Sequence, residues 1–149
     1  TAAGILVKTT TSIGVISGNI IEQGAGTAIE LQDGAYVSIT GNTVRKWTKH
    51  GIYLNNVSAE SRDCSVTGNV IIGVDEADTA TYSGIVVQGD RNAVIGNRLD
   101  DCDKYCIEIA ATADRTLVLG NQCTQHVGTC EGYIVDGGTN TESAHNIVT

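Results

Sequence analysis

One step recurs five times in this chain: a short run of β-type residues, then Gly-Asn, then another apolar residue. It reads "GVISGNII", "SITGNTV", "SVTGNVI", "AVIGNRL" and "TLVLGNQC", with the pairs at Gly18-Asn19, Gly41-Asn42, Gly68-Asn69, Gly96-Asn97 and Gly120-Asn121. A degenerate sixth step, His145-Asn146, follows, and successive asparagines lie 23, 27, 28, 24 and 25 residues apart. A second motif keeps the same beat: "GILVK" at Gly4, "AIELQ" at Ala28, "GIYLN" at Gly51, "GIVVQ" at Gly84, "CIEIA" at Cys106 and "GYIVD" at Gly132. Self-similarity at 20–50 residues is the mark of a solenoid, in which each repeat buries its apolar face only against its neighbours.

The repeat contains no helical periodicity. In "AIELQ", Ile29 and Leu31 share one face while Glu30 and Gln32 share the other, the alternation of a strand. Three short strands per turn predict an all-β parallel β-helix of about six coils, each about 22–28 residues and one about 33, stacked at the strand spacing. In such a stack the glycine supplies a tight corner. The asparagine after it is expected to tolerate the left-handed backbone and to bond to its equivalents above and below. Asn19, Asn42, Asn69, Asn97, Asn121 and Asn146 would then form a ladder. Two further columns are expected to face inward: Ile16, Ile39, Val66, Val94 and Val118, and then Ile21, Val44, Ile71, Leu99, Cys123 and Val148. Cys123 is therefore read as a small core residue rather than a nucleophile.

Composition fits this picture. The chain has 18 glycines and no proline, phenylalanine or methionine, so its core must be built from flat aliphatic layers. A net charge of -8 argues against binding nucleic acid or anionic membranes. No apolar run reaches the roughly 18 residues of a membrane span. Five cysteines, Cys64, Cys102, Cys106, Cys123 and Cys130, leave at least one unpaired within the chain. Cys102–Cys106 and Cys102–Cys130 are the pairings that stacking would allow. The Cys102, Cys106, Cys123, Cys130 and His126 spacings lack the short pairs of zinc sites, so neither a metal nor another cofactor is expected.

On these motifs, over essentially the whole length, the chain resembles the right-handed parallel β-helices of the pectin-lyase-like superfamily. That group includes polysaccharide lyases, polygalacturonases, epimerases and bacteriophage tailspikes or neck appendages. The resemblance implies the fold strongly and the function weakly. Residues 1–149 are read as a single β-helix domain, and as a segment of a longer polypeptide because no capping helix precedes "GILVK". The implied partners are a bacterial surface polysaccharide and, as in trimeric phage spikes, further copies of the chain. The implied location is a virion tail or the extracellular space. Asp100, Asp101 and Cys102 match the Asp-Asp-Cys step of polygalacturonases, but the Gly-His-Gly and Arg-Ile-Lys of that family are missing, so the catalytic role is not carried over.

The outward columns of the second motif offer the candidate site. One runs Leu6, Glu30, Tyr53, Val86, Glu108 and Ile134. The next runs Lys8, Gln32, Asn55, Gln88, Ala110 and Asp136. Amides, carboxylates and one aromatic ring suit the hydroxyls and flat faces of an extended sugar chain. Glu30, Asp90, Glu108 and Asp136 are the candidate catalytic residues, and Gln32, Tyr53, Asn55 and Gln88 the candidate binding residues. Glu30 and Glu108 are three coils apart, roughly 14 Å at the strand spacing, too far for the carboxylate pair of a glycosidase. Two long connections, "NNVSAESRD" from Asn55 and "GVDEADTATYS" from Gly73, could line the same groove. "RKWTKHG" gathers Arg45, Lys46, Trp47, Lys49 and His50 into the one basic-aromatic cluster. On the Gly-Asn face, Ala93, Ile95, Leu117 and Leu119 bring apolar side chains outward, which marks a packing surface. Three functions stay open: a phage appendage segment that binds and perhaps cleaves a host polysaccharide, part of a secreted bacterial lyase, hydrolase or epimerase, and a structural shaft without a ligand.

Overall fold

The computed structural model describes residues 3–8, 13–75, 80–124 and 131–149. Every coil contributes three strands. In chain order they are β1 (Ile5–Lys8), β2 (Gly14–Ser17) and β3 (Ile20–Gly24); β4 (Ile29–Gln32), β5 (Val37–Thr40) and β6 (Thr43–Trp47); β7 (Ile52–Asn55), β8 (Ser65–Thr67) and β9 (Val70–Val74). The series continues with β10 (Ile85–Val87), β11 (Ala93–Ile95) and β12 (Arg98–Cys102); β13 (Tyr105–Ile109), β14 (Leu117–Leu119) and β15 (Gln122–Thr124); β16 (Gly132–Asp136), β17 (Glu142–Ala144) and β18 (Ile147–Val148). The first strands of each coil form sheet A, the second sheet B and the third sheet C, each six-stranded and ordered coil upon coil. All pairings are parallel, for example Ile29 opposite Ile52 and Ile39 opposite Val66. The chain is a parallel β-helix. No helix among the described residues is long and apolar enough to cross a membrane.

The core is a set of stacked columns. Ile5, Ile29, Ile52, Ile85, Ile107 and Ile134 lie in one register across sheet A, six isoleucines in line. The expected columns of sheets B and C are also in place, with Ile39, Val66, Val94, Val118, Val44, Ile71, Leu99 and Cys123 wholly buried. Val148 pairs with Cys123 as expected but is exposed. Like-on-like stacking brings identical aliphatic side chains into line, which lets a core without phenylalanine or methionine be built from flat layers.

The last coil corrects the expected register. Gly132 pairs with Tyr105, and Ile134 pairs with the inward Ile107, so Val135 rather than Ile134 stands beside Glu108, and Asp136 stands beside Ile109 rather than Ala110. Alignment on glycine misplaced this strand by one residue, which in a sheet moves every side chain to the opposite face. Alignment on isoleucine places it correctly. Tyr133 thereby falls in line with Cys106 and packs against the core.

The ladder is complete. Asn19, Asn42, Asn69, Asn97 and Asn121 each donate from Nδ2 to Oδ1 of the next asparagine, at 2.9–3.0 Å, ending on Asn146. The same Oδ1 also accepts the backbone N–H of the asparagine one coil earlier, at 2.9–3.1 Å. Nδ2 further donates to a backbone carbonyl of the preceding coil, such as Asn97 to Val66 at 2.9 Å. The glycines, not the asparagines, take the left-handed backbone, with φ of 62–66° from Gly18 to Gly120. His145 takes the same conformation at φ 55° without the freedom of glycine.

Trp47 is buried rather than part of a surface cluster. Its ring lies over Gly24, its partner in register, where an added Cβ would come within 2.2 Å of it, and its Nε1 donates to the Ile21 carbonyl at 3.3 Å. Cys64, Cys102, Cys106 and Cys123 are buried, and Cys102 is a free thiol, so the expected Cys102–Cys106 bridge is absent. Hydrogen bonding with Cys106, together with burial, pushes the Cys123 thiol far up, as befits a core residue. Cys130, His126, Glu76 and Asp78 lie outside the described residues.

Two outcomes check the ladder. Asn97→Ala strips partners from the Asn69 amide groups and the Val66 carbonyl, and should cost about 3–5 kcal/mol in urea unfolding, since each buried orphan costs about 1–3 kcal/mol. His145→Gly should raise stability by about 1 kcal/mol by relieving the left-handed strain.

Candidate functional site

Sheet A presents the candidate face. Residues Glu30, Tyr53, Val86 and Glu108 follow one another in register on β4, β7, β10 and β13, as the alternation requires. The face is not one open groove. Val86 is only 4% exposed, so the column is covered at its middle, with a different set of polar groups on each side.

On one side, Glu30 collects two amides: Gln32 Nε2 donates to its Oε1 at 2.7 Å and Asn55 Nδ2 at 2.8 Å. Gln32 Oε1 is buried without a hydrogen-bond partner. Three of the expected residues thus form one fixed unit next to Tyr53, which is the neighbour of Glu30 across the ladder. Burial raises the Tyr53 phenol above its ordinary value, and the Glu30 and Glu108 carboxylates add to this, so the hydroxyl remains a donor.

On the other side, sequence reasoning missed most of the cluster. Ser83 Oγ donates to Glu108 Oε2 at 2.6 Å, and Lys104 Nζ forms an ion pair with the same carboxylate at 3.2 Å. The Ser83 backbone N–H donates to His50 Nδ1 at 3.0 Å. The His50 ring lies 4.9 Å from that of Tyr53 and 5.1 Å from that of Tyr82, the latter edge-on. Lys49 Nζ sits 5.6 Å from the Tyr82 ring centre and Lys104 Nζ 5.2 Å from that of Tyr105. Burial lowers the pKa of His50, only partly offset by the Ser83 carbonyl and Glu108. Its spacing from Ser83, 33 residues, is the length of the one long coil; the "GIYLN" to "GIVVQ" interval was the available signal.

The remaining expected residues are employed in holding corners. Asp90 Oδ1 accepts the Asp114 N–H at 3.0 Å, and its other oxygen faces Arg115 at 3.9 Å. Gln88 Oε1 accepts the Asn56 N–H at 3.1 Å. Asp136 is exposed and accepts the Gly138 N–H at 3.0 Å. None of the three joins Glu30 or Glu108 in a hydrogen bond.

The connection after β7 is bound to the coil before it. Asp33 accepts the backbone N–H groups of Val57, Ser58 and Ala59 at 2.7–3.0 Å through one oxygen and the Ser58 hydroxyl at 2.7 Å through the other. A depression of about 280 Å³ opens along Asn56–Glu60. Among the described residues, no group of three or more His, Cys, Asp or Glu is placed to hold a metal ion.

A family model described as the right handed beta helix region matches residues 1–123. The chain belongs to the right-handed β-helix family. No curated protein and no solved structure matches it. Family membership fixes the scaffold of this β-helix, and its chemistry must be argued from the face itself.

Asp33 gives a test of the loop anchor. The Ser58 hydroxyl, with the Ala59, Ser58 and Val57 amides, holds its carboxyl far below the ordinary 3.8. Its contribution should be complete above that value and fade as pH falls toward the lowered one. Asp33→Ala should abolish hydrogen-exchange protection at Val57–Ala59 at neutral pH while leaving the sheets protected.

Proposed function

We propose that the chain recognises an extended polysaccharide of a bacterial surface along sheet A, as a segment of a phage tailspike-like appendage. The observation that carries this reading is the Glu30–Gln32–Asn55 unit beside Tyr53. Its donors and acceptors are held in place before any ligand arrives, and a half-buried ring adjoins them. A hydroxyl-rich ligand with flat sugar faces is the complement of such a surface.

Binding fits this face better than cleavage. The Nδ1 lone pair of His50 is occupied by the Ser83 amide, and Glu108 is held by Lys104 and Ser83. Both groups are engaged by protein partners in this arrangement. Glu30 and Glu108, three strand steps apart at roughly 14 Å, are too widely separated to act as a pair on one bond. The half-exposed Ala93, Ile95, Leu117 and Leu119 on sheet B support a further part of the reading, in which that face packs against other copies of the chain in a trimer.

The test is calorimetric titration with a panel of capsular and O-antigen polysaccharides, with reducing-end assays of the products. One glycan should bind without being shortened, and Tyr53→Ala should weaken it about tenfold, corresponding to about 1.4 kcal/mol of stacking. Release of new chain ends would favour the hydrolase or lyase reading instead. Failure of every glycan to bind would leave the structural shaft.

A further inference from the structure

Three side chains dock the segment Thr81–Ser83, which leads into β10, onto neighbouring coils, beside the backbone bonds that the Ser83 carbonyl accepts from Gly51 at 3.4 Å and the Tyr82 carbonyl from Lys104 at 3.3 Å. Asp75 Oδ2 accepts the N–H groups of Thr81 at 2.7 Å and Tyr82 at 3.1 Å. Glu108 accepts the Ser83 hydroxyl. His50 Nδ1 accepts the Ser83 N–H. Ser83 is wholly buried, so its amide has no water to fall back on.

The third contact depends on a lone pair that a proton would occupy. We propose that His50 is a proton-operated latch: neutral, it holds the Ser83 amide and with it Thr81–Ser83 against sheet A; protonated, it releases that amide and loosens the segment. A proton on Nδ1 turns the acceptor into a donor facing the Ser83 N–H. Nδ1 also lies 3.3 Å from the Ser83 carbonyl, so the protonated ring would turn to that oxygen and leave the amide orphaned. The ring is edge-on to Tyr82, so the change reaches the aromatic part of the face. The latch does not rest on the glycan reading.

The charged and titratable surroundings are those of a switch biased toward the closed state. Glu108 on β13 and Asp75 at the end of β9 favour the imidazolium, Lys104 opposes it, and burial outweighs them all. Tyr53 and Tyr82 flank the ring, and Lys49 lies over Tyr82. The sign follows from the lowered value. The contribution of the closed latch is complete above the ordinary imidazole value near 6.5. It declines below that pH until His50 protonates in the closed state.

The experiment is a pH series of heteronuclear NMR and amide exchange on the whole chain. His50 should titrate below about 6.5. The Ser83 amide protection factor should fall by up to about tenfold per pH unit between that value and the His50 midpoint, as uptake of one proton requires. Protection of the β7 and β13 amides should hold over the same range. His50→Ala should leave Ser83 unprotected at every pH. His50→Gln, whose amide oxygen can accept the N–H but does not titrate, should keep it protected without the transition. Asp75→Asn separates the carboxylate anchor, because the transition should persist, with its midpoint moved down by the loss of a charge that favours the imidazolium. The proposal is overturned if Ser83 stays protected while His50 titrates, if His50 is already protonated at neutral pH, or if Ser83 loses protection only together with the whole sheet. Each outcome is read in wild type, so the answer survives a variant that does not fold.

Discussion

Stacking coils at the strand spacing places Asn42, Asn69, Asn97 and Asn121 at the corners against their equivalents above and below, out of reach of water. A polar group there finds a partner in the next coil or finds none. The asparagine ladder meets that condition with one residue per coil: its oxygen takes two donors from one neighbour, and its nitrogen serves a carbonyl and the next amide. Each rung thus completes the rung before it. Glycine before the asparagine is the local requirement, because the chain must turn with positive φ immediately before the amide enters the stack. The three sheets, the aliphatic columns and the candidate face all inherit their register from this row.

This dependence explains what could be read from the residues alone. The Gly-Asn corner needs a specific pair of residues, so it leaves a mark at each coil, and the inward columns follow from counting two residues on either side. The last coil was misread because Gly132 resembles the glycines at 4, 51 and 84, whereas the core selects on the isoleucine beside them. Two other left-handed columns left no mark. Tyr36, Asp63, Arg91, Arg115 and Asn140 share positive φ, as do Gln23, Lys46, Gly73 and Asp101. Their conformation is held by coil-to-coil bonds such as Asp63 N–H to the Asp90 carbonyl and Arg91 N–H to that of Asp114, which any residue can make.

The same reasoning separates the two halves of the candidate face. Glu30, Gln32 and Asn55 are neighbours by strand alternation and coil count alone, and both are regular. Their grouping was legible. The His50, Tyr82, Ser83 and Lys104 cluster forms where the repeat is interrupted, and periodicity cannot place residues that sit outside the period. Asp90 and Gln88 failed to join the face for a related reason. They lie at the end of a strand, where stacked loops compete for carboxylates and amides, and the neighbouring backbone claimed them first.

In a solenoid, a loop can lengthen without disturbing the core, because the strands on either side keep their partners. Departures from the repeat are therefore where a chain can carry something other than its own architecture. Here they fall at one level. Successive isoleucines of sheet A are 24, 23, 33, 22 and 27 residues apart, from Ile5 to Ile134, and the long interval contains both extended connections. One leaves the end of β7 and is bound by Asp33; the other enters β10 and is bound by Asp75, Glu108 and His50. Both flank sheet A, on either side of the strands that carry Tyr53 and Val86. Two insertions fixed to opposite ends of the same strands, each by carboxylates from adjacent coils, shape one surface. The rest of the stack is free to remain regular because that surface is confined to it.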